Sequence, residues 1–580
     1  MDLSLHAYHC SIAVAILCIL PLAISAPVDS VNLSTSLACH YMPGDTAWPT
    51  QIVWSTFNES IGGKVILACP LAQVCHGSNY DPASCSKIRD SWTDGTNYYE
   101  DPVHIMSPYW LNNSCSPFTE VNAPCSLGNM ASYAVKVQGP ADVAAGLKFA
   151  KEMNIRVTIK NTGHDYLGRS AGEGSLALWT HNLKDISFFN YSSPAYNGPA
   201  AKAGAGIQFS EVYQAAAEHG YRIVGGLCPT VGMVGGYVQG AGHGPLSGTY
   251  GLAADNVLEF EVVTTDGQLR IASPYDNPDL YWALSGGGSG NYGVVLSLTT
   301  KAHTDGIVAG ASLTFNNTNT EAFWSAVEAW HKHLLVLDQV PGFAVNWGVT
   351  QEQFVIRFAT LTDSNASALS SALDPFIHEL QTLNLAYTFE TVDHSTYYEH
   401  FQYYTTAAYV TNDVVGSRLV QRSTVQNSLP DLMATIRSIT ATTSLSVQVN
   451  GETANVSHAR AGNAPDSNAV LPAWRDSLYH LMLAVSFDAA APDDELERIQ
   501  AQLNEWQDQI KVITPGGGAY MNEATYDNVD WKVDYYGANY DKLLGIKEKY
   551  DPDFTLWAHT SVGSDSYWAV AEDGRLCAIR

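Results

Sequence analysis

The chain has 580 residues, which is too long for one ordinary hydrophobic core, so we expect two or more domains. Its formal net charge of −28, from 57 acidic and 29 basic side chains, argues against a nucleic-acid partner, because phosphate binding needs clustered lysine and arginine. An acidic chain of this kind is typical of a protein that works in an acidic medium or a secretory compartment.

Residues 1–25 are predicted to be a signal peptide. Ser11 to Ile24 form an apolar block that ends near the small residues Ser25 and Ala26. This length suits a signal-peptide core and is short for a membrane span. The preceding segment has no lysine or arginine, so a signal anchor is the alternative. We expect the mature protein to have no membrane segment and to be secreted or held in the secretory lumen or vacuole.

Cysteines and glycosylation sequons also favour the secretory route. Six cysteines crowd into a proline-rich prefix, residues 26–125, and such an even set predicts a disulfide framework; they are Cys39, Cys69, Cys75, Cys85, Cys115 and Cys125. We expect Cys75–Cys85 and Cys115–Cys125 to close short loops. The sequons lie at Asn32, Asn58, Asn112, Asn190, Asn316, Asn365 and Asn455.

A mixed α/β block is predicted over residues 126–305. It begins with a βαβ unit whose strand, capped helix and second strand are "YAVKVQ", "GPADVAAGLKFAKEMN" and "IRVTIKN". The helix "SEVYQAAAEHG" ends in a glycine that often closes a helix. Further strands are "LALWT", "AAKAGAG", "VLEFEVVTT" and "VVLSLTTKAH".

A second block, residues 306–512, combines strands with long helices. "FAVNWGVTQEQFVIRFATL" predicts a hairpin, and apolar residues recur at helical spacing in "TEAFWSAVEAWHKHLLVL" and "DELERIQAQLNEWQDQI". Glycine is scarcer here, which fits a substrate domain. The tail, residues 513–580, is rich in aromatic residues and has a predicted helix over "YDKLLGIKEKY".

Three glycine-rich loops stand out in the first block. They are "NTGHDYLGRSAGEG", the stretch Gly225–Val257 and the stretch Asp279–Val295. Glycine lets a backbone approach a ligand closely, and backbone N–H groups can then cradle a pyrophosphate. Each loop alone is more simply explained as a turn. No Rossmann fingerprint or P-loop is present, so the three loops together indicate a large dinucleotide bound in another way.

These loops resemble the FAD-binding domain of the vanillyl-alcohol-oxidase (PCMH) superfamily. The motifs are "TIKNTGHDYLGRS", "CPTVGMVGGYVQGAGHGPLSGTYGLAADNV" and "DLYWALSGGGSGNYGVV". The tail resembles the berberine-bridge-enzyme segment, and "CHYMPGDTAWP" in the prefix resembles secreted fungal isoamyl alcohol oxidases. The resemblance implies an α+β fold: a PCMH-type FAD-binding domain of two α/β subdomains (126–305), and a substrate domain with an antiparallel sheet and covering helices (306–512). The C-terminal segment (513–580) would return to the FAD domain.

The resemblance also implies the cofactor, FAD, and the residues that hold it. The histidine of the Gly-His pair bonds flavin C8α in this family, which assigns that bond to His164. A cysteine before Pro-Thr-Val bonds C6 in bicovalent members, which assigns it to Cys228. "CPTVGMVGG" has one residue more than the plant enzymes, and a buried thiol or a disulfide to Cys577 is the alternative for Cys228. The other predicted contacts are Lys160, Asn161, Thr162, Gly163, Asp165, Gly168, Gly232, Gly235, Gly236, Gly240, Gly242, His243, Gly244, Gly286, Gly290, Asn291, Gly293, Asn539 and Tyr540.

A base is needed to take the proton that accompanies hydride transfer. Sugar-oxidising relatives have a tyrosine base at the fourth position of "YMNE", where this chain has Glu523. Desolvation raises the pKa of a carboxylate and suits it to acid–base work. Glu523 is therefore the first candidate, with Tyr520 and Tyr166 as alternatives. A structural carboxylate is the competing interpretation.

Metal binding is not expected. His331 and His333 lie two residues apart on a predicted helix and would not share a face, and no cluster has zinc spacing.

The partners expected are a small-molecule substrate and O₂, and we expect a monomer. The function predicted is an FAD oxidase acting on an alcohol or related carbon of a fungal secondary metabolite. Oxidative cyclisation or redox-neutral isomerisation, and a non-catalytic flavin-binding glycoprotein, are the alternatives.

Overall fold

The computed structural model of the protein describes residues 38–107, 114–405 and 412–579. The predicted signal peptide and the sequons at Asn32 and Asn112 lie outside these ranges. Within them, every helix is too short or too polar to span a bilayer.

Strands and helices are both present along the chain, and the mixed α+β prediction is confirmed. The strands are β1 (Val65–Leu67), β2 (Tyr133–Lys136), β3 (Val157–Lys160), β4 (Leu176–Trp179), β5 (Ile186–Ser192), β6 (Asn197–Gly204), β7 (Tyr221–Arg222), β8 (Val257–Val263), β9 (Leu269–Ala272), β10 (Val294–Lys301), β11 (His303–Thr304), β12 (Val308–Asn316), β13 (Phe343–Val349), β14 (Gln353–Thr362), β15 (Tyr387–His394), β16 (Asp413–Gln421), β17 (Ser446–Ala454), β18 (Ser477–Ser486), β19 (Trp568–Val570) and β20 (Leu576–Ala578). The α-helices are α1 (Gln51–Ser60), α2 (Pro82–Asp90), α3 (Thr96–Tyr99), α4 (Pro140–Glu152), α5 (Phe209–Glu218), α6 (Ser247–Tyr250), α7 (Pro278–Leu284), α8 (Thr320–Leu337), α9 (Ala366–Thr382), α10 (Tyr397–Tyr404), α11 (Arg422–Asn427), α12 (Leu429–Thr440), α13 (His458–Ala461), α14 (Asp493–Ile513) and α15 (Tyr540–Tyr550).

The first sheet has the strand order β1-β2-β4-β3. The predicted βαβ unit is present: β2 and β3 both pair in parallel with β4, which lies between them. Helix α4 begins at Pro140, where a proline is tolerated because the first helical N–H has no partner, and it buries Val143 and Leu147. This packing fixes the carboxyl end of β3, from which the first glycine-rich loop starts.

The second sheet is antiparallel, with the order β5-β6-β10-β8-β9. Its core includes Phe260 and Leu298 and also residues of the tail, among them Met521, Tyr536 and Leu543. The C-terminal segment therefore packs on the block of residues 126–305, as predicted. This return brings Tyr520 and Glu523 to the cavity described below.

The third sheet has seven antiparallel strands in the order β15-β12-β14-β13-β17-β18-β16. Strands β13 and β14 form the predicted hairpin. Helices α8, α9, α12 and α14 pack on one face through apolar residues such as Trp330, Leu373, Ile436 and Leu503. Burial of these side chains explains the helical spacing of apolar residues in the sequence. The opposite face is open to the cavity.

Three disulfides are present among the described residues. Cys75–Cys85 and Cys115–Cys125 confirm the two predicted local loops. Cys39 bonds Cys577 across 538 residues, so the prediction of a framework confined to the prefix was wrong. This pairing also rules out a disulfide between Cys228 and Cys577, and Cys69 belongs to none of the three bridges. The distance along the sequence could not predict that Cys39 pairs with Cys577, because only folding brings these two residues together.

Candidate functional site

The loop after β3 begins with Lys160, which is fully buried. Its ammonium donates to the carbonyl oxygens of Tyr98 (3.0 Å) and Asp101 (2.6 Å) in the prefix. Burial lowers the pKa of Lys160 to about 7, and Asp101 opposes this effect. Lys160 was predicted to contact FAD, but the structure directs its charge to the prefix and away from the cavity.

Gly163 follows with a positive φ of 86°. A Cβ atom here would lie 3.0 Å from the carbonyl oxygen of His104 and 3.2 Å from Cα of Ile105, so the residue is glycine for two separate reasons. The carbonyl of Gly163 accepts a hydrogen bond from the backbone N–H of Met106 (2.8 Å). The prefix therefore holds the loop in place from outside.

His164 and Cys228, the two predicted flavin anchors, lie side by side. Cys228 Sγ is 3.8 Å from His164 Nε2, which also makes a 2.7 Å hydrogen bond with Thr230 Oγ1. Burial lowers the pKa of His164 to about 4, and the nearby charge of Lys160 adds to the effect. The imidazole is therefore neutral at physiological pH and keeps one nitrogen lone pair for bond formation.

Both anchors open onto a cavity of about 610 Å³. The residues that line it fit a flavin dinucleotide. A Cβ at Gly236 or Gly290 would meet no protein atom closer than 3.6 Å, so these backbones leave room for a flat ligand. Two buried side-chain oxygens of the wall, Asn161 Oδ1 and Gln239 Oε1, accept no hydrogen bond from the described residues and are ready for a donor on the ligand.

The cavity brings together many of the predicted site residues. Those on its wall are Asn161, Thr162, Gly163, His164, Asp165, Tyr166, Cys228, Gly232, Gly235, Gly236, His243, Gly290, Gly293, Tyr520 and Glu523. The other predicted positions, which do not line it, are Lys160, Gly168, Gly240, Gly242, Gly244, Gly286, Asn291, Asn539 and Tyr540.

Some of the predicted positions that do not line the cavity stabilise the loops around it. A Cβ at Gly244 would lie 2.0 Å from the carbonyl oxygen of Gly225, so the glycine permits two chain segments to touch. Asn539 donates to the carbonyl oxygens of Ala469 and Val470 at 3.2 Å. Tyr540 accepts a hydrogen bond from the backbone of Gly563 (3.2 Å). These contacts order the loops.

Glu523 lies on the wall beside two histidines. Its carboxylate is 3.7 Å from His243 Nε2 and 3.5 Å from His480 Nδ1. His243 Nδ1 donates to Glu452 Oε2 at 2.6 Å, and Asn346 donates to the other oxygen of Glu452 at 2.9 Å. His243 was predicted as a flavin contact, and the structure joins it to an acid–base cluster.

The two tyrosine alternatives for the base are less suited to that role. Desolvation raises the pKa of Tyr166 and, with the charge of Glu523, that of Tyr520 well above the usual value. Both phenols therefore keep their protons and can donate a hydrogen bond but cannot readily accept a proton. Tyr520 is also tied to Asn522, which donates to its hydroxyl at 2.8 Å. Glu523 remains the better acceptor.

Sequence reasoning missed the residues that the third sheet contributes. Gln448, Asn450 and Glu452 on β17 alternate along the strand and face the cavity, as do His480 and Met482 on β18. The signal was a period of two, in which polar residues on β17 interrupt an apolar strand. A polar stripe of this kind also occurs on ordinary exposed strands, so the signal alone would not have identified a site.

Folding brings three possible metal ligands together in this cluster. His243, His480 and Glu523 each offer a ligand atom within 4.8 Å of the others. Burial would lower the pKa of His243, but Glu452 and Glu523 raise it to about 10, and an imidazolium has no lone pair for a metal. The side chains of His331 and His333 are committed to backbone carbonyls of Val327 and Ala372.

The profile of the FAD binding domain family matches residues 131–273, and the profile described as berberine and berberine like matches residues 519–563. Fold and cavity thus define a flavin-dependent oxidoreductase.

Three curated fungal relatives are similar over nearly the whole chain. VAO-type flavoprotein oxidase VAO615 of Thermothelomyces thermophilus is 41% identical, covering 96% of this chain and 98% of its own. FAD-linked oxidoreductase patO of Aspergillus clavatus is 40% identical (93% and 95%), and bifunctional decalin synthase calF of Penicillium decumbens is 39% identical (97% and 99%).

Solved structures of flavoproteins have the same fold. The crystal structure of VAO-type flavoprotein MtVAO615 from Myceliophthora thermophila C1 has a TM-score of 0.89 at 41% identity and covers 93% of this chain and 100% of its own. Glucooligosaccharide oxidase from Acremonium strictum, described with a 6-S-cysteinyl, 8α-N1-histidyl FAD, shares the fold with a TM-score of 0.64 at 20% identity, covering 75% and 92%. The chain belongs to the family of FAD-linked oxidoreductases of the VAO type and ends in a berberine-bridge-like segment.

Proposed function

We propose that this protein is an oxidase with covalently bound FAD that removes a hydride from an alcohol or related carbon of a small organic molecule and transfers the electrons to O₂. The observation that carries the proposal is the convergence of His164, Cys228 and Glu523 on one cavity. Two of these residues could tether the cofactor and the third could accept a proton. FAD, when bound, supplies the two-electron acceptor for the substrate C–H bond.

Covalent attachment is supported by the state of the anchors. His164 is neutral at physiological pH, and Thr230 occupies its Nε2, which leaves Nδ1 as the ring nitrogen for a bond. Cys228 Sγ is close enough that one flavin could reach both residues. The doubly linked FAD of the Acremonium enzyme supports the same pair of bonds here. Two bonds would prevent loss of the cofactor in a dilute extracellular setting.

Proton transfer is assigned to Glu523. When the C–H bond of an alcohol gives up its hydride, the hydroxyl proton must leave as well, and a carboxylate at the cavity wall can take it. His243, charged and 3.7 Å away, stabilises the carboxylate before that step. Tyr166 and Tyr520, which keep their protons, can orient the substrate oxygen by hydrogen bonding.

The flavin bonds are tested by acid precipitation of the purified protein. The pellet is expected to stay yellow. His164→Ala and Cys228→Ala should each retain one bond and show an altered absorbance spectrum, and the loss of both residues should release the flavin. Thr56→Ala, which changes an exposed hydroxyl on α1, is the control. A colourless wild-type pellet with free FAD in the supernatant would contradict covalent attachment.

Tailoring of a fungal secondary metabolite is the physiological role that we propose. A second reaction, oxidative cyclisation or isomerisation of such a metabolite, is favoured by the similarity to the bifunctional decalin synthase. Comparative metabolite profiling of a gene deletion, followed by feeding accumulated intermediates to the pure protein, tests both. Net oxidation consumes O₂ in proportion to product, whereas isomerisation consumes none.

Secretion and N-glycosylation are also proposed. Three disulfides support an oxidising compartment. Among the sequons, Asn190 and Asn316 are exposed, whereas Asn455 donates its amide to Asp338 and is less suited to carry a glycan. Asn190→Gln and Asn316→Gln are each expected to remove one glycan from the secreted protein, as measured by mass spectrometry. Recovery of unglycosylated protein from the cytosol would contradict the proposal.

A further inference from the structure

Four ionisable side chains meet at one wall of the cavity although they come from distant parts of the chain. His243 belongs to a glycine-rich loop, Glu452 to β17, His480 to β18 and Glu523 to the C-terminal segment. The shortest contact is the 2.6 Å bond from His243 Nδ1 to Glu452 Oε2. Glu452 is held on its other oxygen by Asn346, so it is fixed from two sides.

The charges of the cluster follow from these contacts. Burial alone would lower the pKa of His243, but the carboxylates of Glu452 and then Glu523 outweigh burial and raise it. Burial would raise the pKa of Glu452, and His243 overcomes this and lowers it. Burial lowers the pKa of His480 to about 4, so this second imidazole stays neutral. One imidazolium is thus shared by two carboxylates.

We propose that Glu452 is a positioning residue that, through His243, maintains a fixed positive charge beside Glu523 and orients that carboxylate toward the cavity. The geometry supports a division of roles between the two acids. Glu452 uses both oxygens on Asn346 and His243, whereas Glu523 approaches its two histidines only at 3.5 Å and 3.7 Å and keeps its oxygens open to a substrate. The description of Glu523 as the base rests on the proposed function, but the charge on His243 does not.

The surroundings of His243 are largely aromatic. The rings of Trp474 and Tyr520 lie 5.7 Å and 4.9 Å from the imidazole, and His480 lies 5.3 Å away. The hydroxyl of Tyr237 donates to the backbone carbonyl of His243 and fixes the loop. Aromatic packing limits the access of water to the His243 side of the ion pair, and the attraction is therefore stronger than in a fully exposed pair.

The charge is measured by NMR on the holoprotein with ¹³Cε1-labelled histidine, and His243→Gln assigns the signal. In the wild type, the His243 signal is expected to remain that of an imidazolium well above the ordinary histidine pKa of 6.5. In Glu452→Gln, its titration is expected to move down by about 1–3 pH units, because an opposite charge has been removed at hydrogen-bond distance. Glu328→Gln, which changes an exposed carboxylate on α8, is the matched control and should leave the signal unchanged.

A neutral His243 at pH 7 in the wild type, or an unchanged titration in Glu452→Gln, would overturn the proposal. If Glu452→Gln does not fold, Glu523→Gln is the second variant. It is expected to lower the titration less, because its contact with His243 is longer. A stoichiometric metal ion detected by mass spectrometry, whose removal by chelation changes the histidine signals, would also contradict a protonated His243.

A kinetic readout separates positioning from a merely structural ion pair. Glu452→Gln is expected to lower the rate of anaerobic flavin reduction and to change its pH profile with little effect on KM, and Glu452→Asp should restore part of the rate. Unchanged pH dependence with a lower melting temperature would mean a structural role only. If His243 titrates as expected but no candidate substrate reduces the flavin, the proposed function fails while the assignment of charge stands.

Discussion

The two sides of the cavity are built in different ways. On the side of the glycine-rich loops, backbone shape is essential, and the residues His164, Asp165 and Tyr166 are consecutive in sequence. On the side of the third sheet, single side chains such as Asn450 and His480 project from regular strands and share no motif. We infer that cofactor binding is encoded locally in this fold, whereas proton transfer and substrate binding depend on the assembly of distant segments.

Glu523→Gln, at the boundary between the two sides of the cavity, is expected to have the largest effect on the reaction rate. Loss of a positioned base lowers a reaction by about 10²–10⁴-fold, and we expect a fall of this size in the rate of flavin reduction. Flavin content should not change, because Glu523 is not an anchor. Stopped-flow absorbance under anaerobic conditions measures the rate. A variant that reduces its flavin at the wild-type rate would exclude Glu523 as the base.

Gly163→Ala tests the loop side. A non-glycine residue at positive φ costs about 1–2 kcal/mol, and the added Cβ would also press on His104 and Ile105 of the prefix. We expect a lower melting temperature and less retained flavin. Gly462→Ala, at a similar φ of 70° but with no atom within 4 Å, is the control for strain alone. Equal effects of the two variants would show that the prefix contact is unimportant.

Lys160→Met tests how the prefix holds the loop. Burial lowers the pKa of Lys160 to about 7, so above this pH the unfolded chain binds a proton that the folded chain lacks. The wild type should therefore gain stability relative to the variant as pH rises from 7 toward 10, by at most about 1.4 kcal/mol per pH unit. Urea unfolding at several pH values measures this difference. A difference that is independent of pH would mean that Lys160 stays charged.

Gln448→Ala tests the strand side with the smallest expected effect. A single hydrogen bond to a substrate is worth about 0.5–1.5 kcal/mol, so KM should rise by roughly 2- to 13-fold while flavin content stays constant. Gln353→Ala, on the exposed end of β14, is the matched control. Loss of flavin in Gln448→Ala would break the separation between the two sides of the cavity.

The sequence predicted much of the fold because local patterns decide local structure. The helices over "TEAFWSAVEAWHKHLLVL" and "YDKLLGIKEKY" have the predicted limits, and the hairpin of β13 and β14 is present. The two cysteine loops of ten residues were likewise predictable from short spacing. The direction of the Lys160 ammonium could not be predicted, because its position in a flavin motif does not define where its long side chain points.

The sequence by itself determined the shape of the glycine-rich loops, because glycine at positions of positive φ and a histidine at the end of a strand are features of the local backbone. Only the tertiary structure decided the rest. It paired Cys39 with Cys577, directed Lys160 to the prefix, and placed Glu452 and His480 beside Glu523. The physical reason is that a charge or a disulfide acts over a few ångströms of space, and no spacing along the chain encodes which distant residues will lie within that distance.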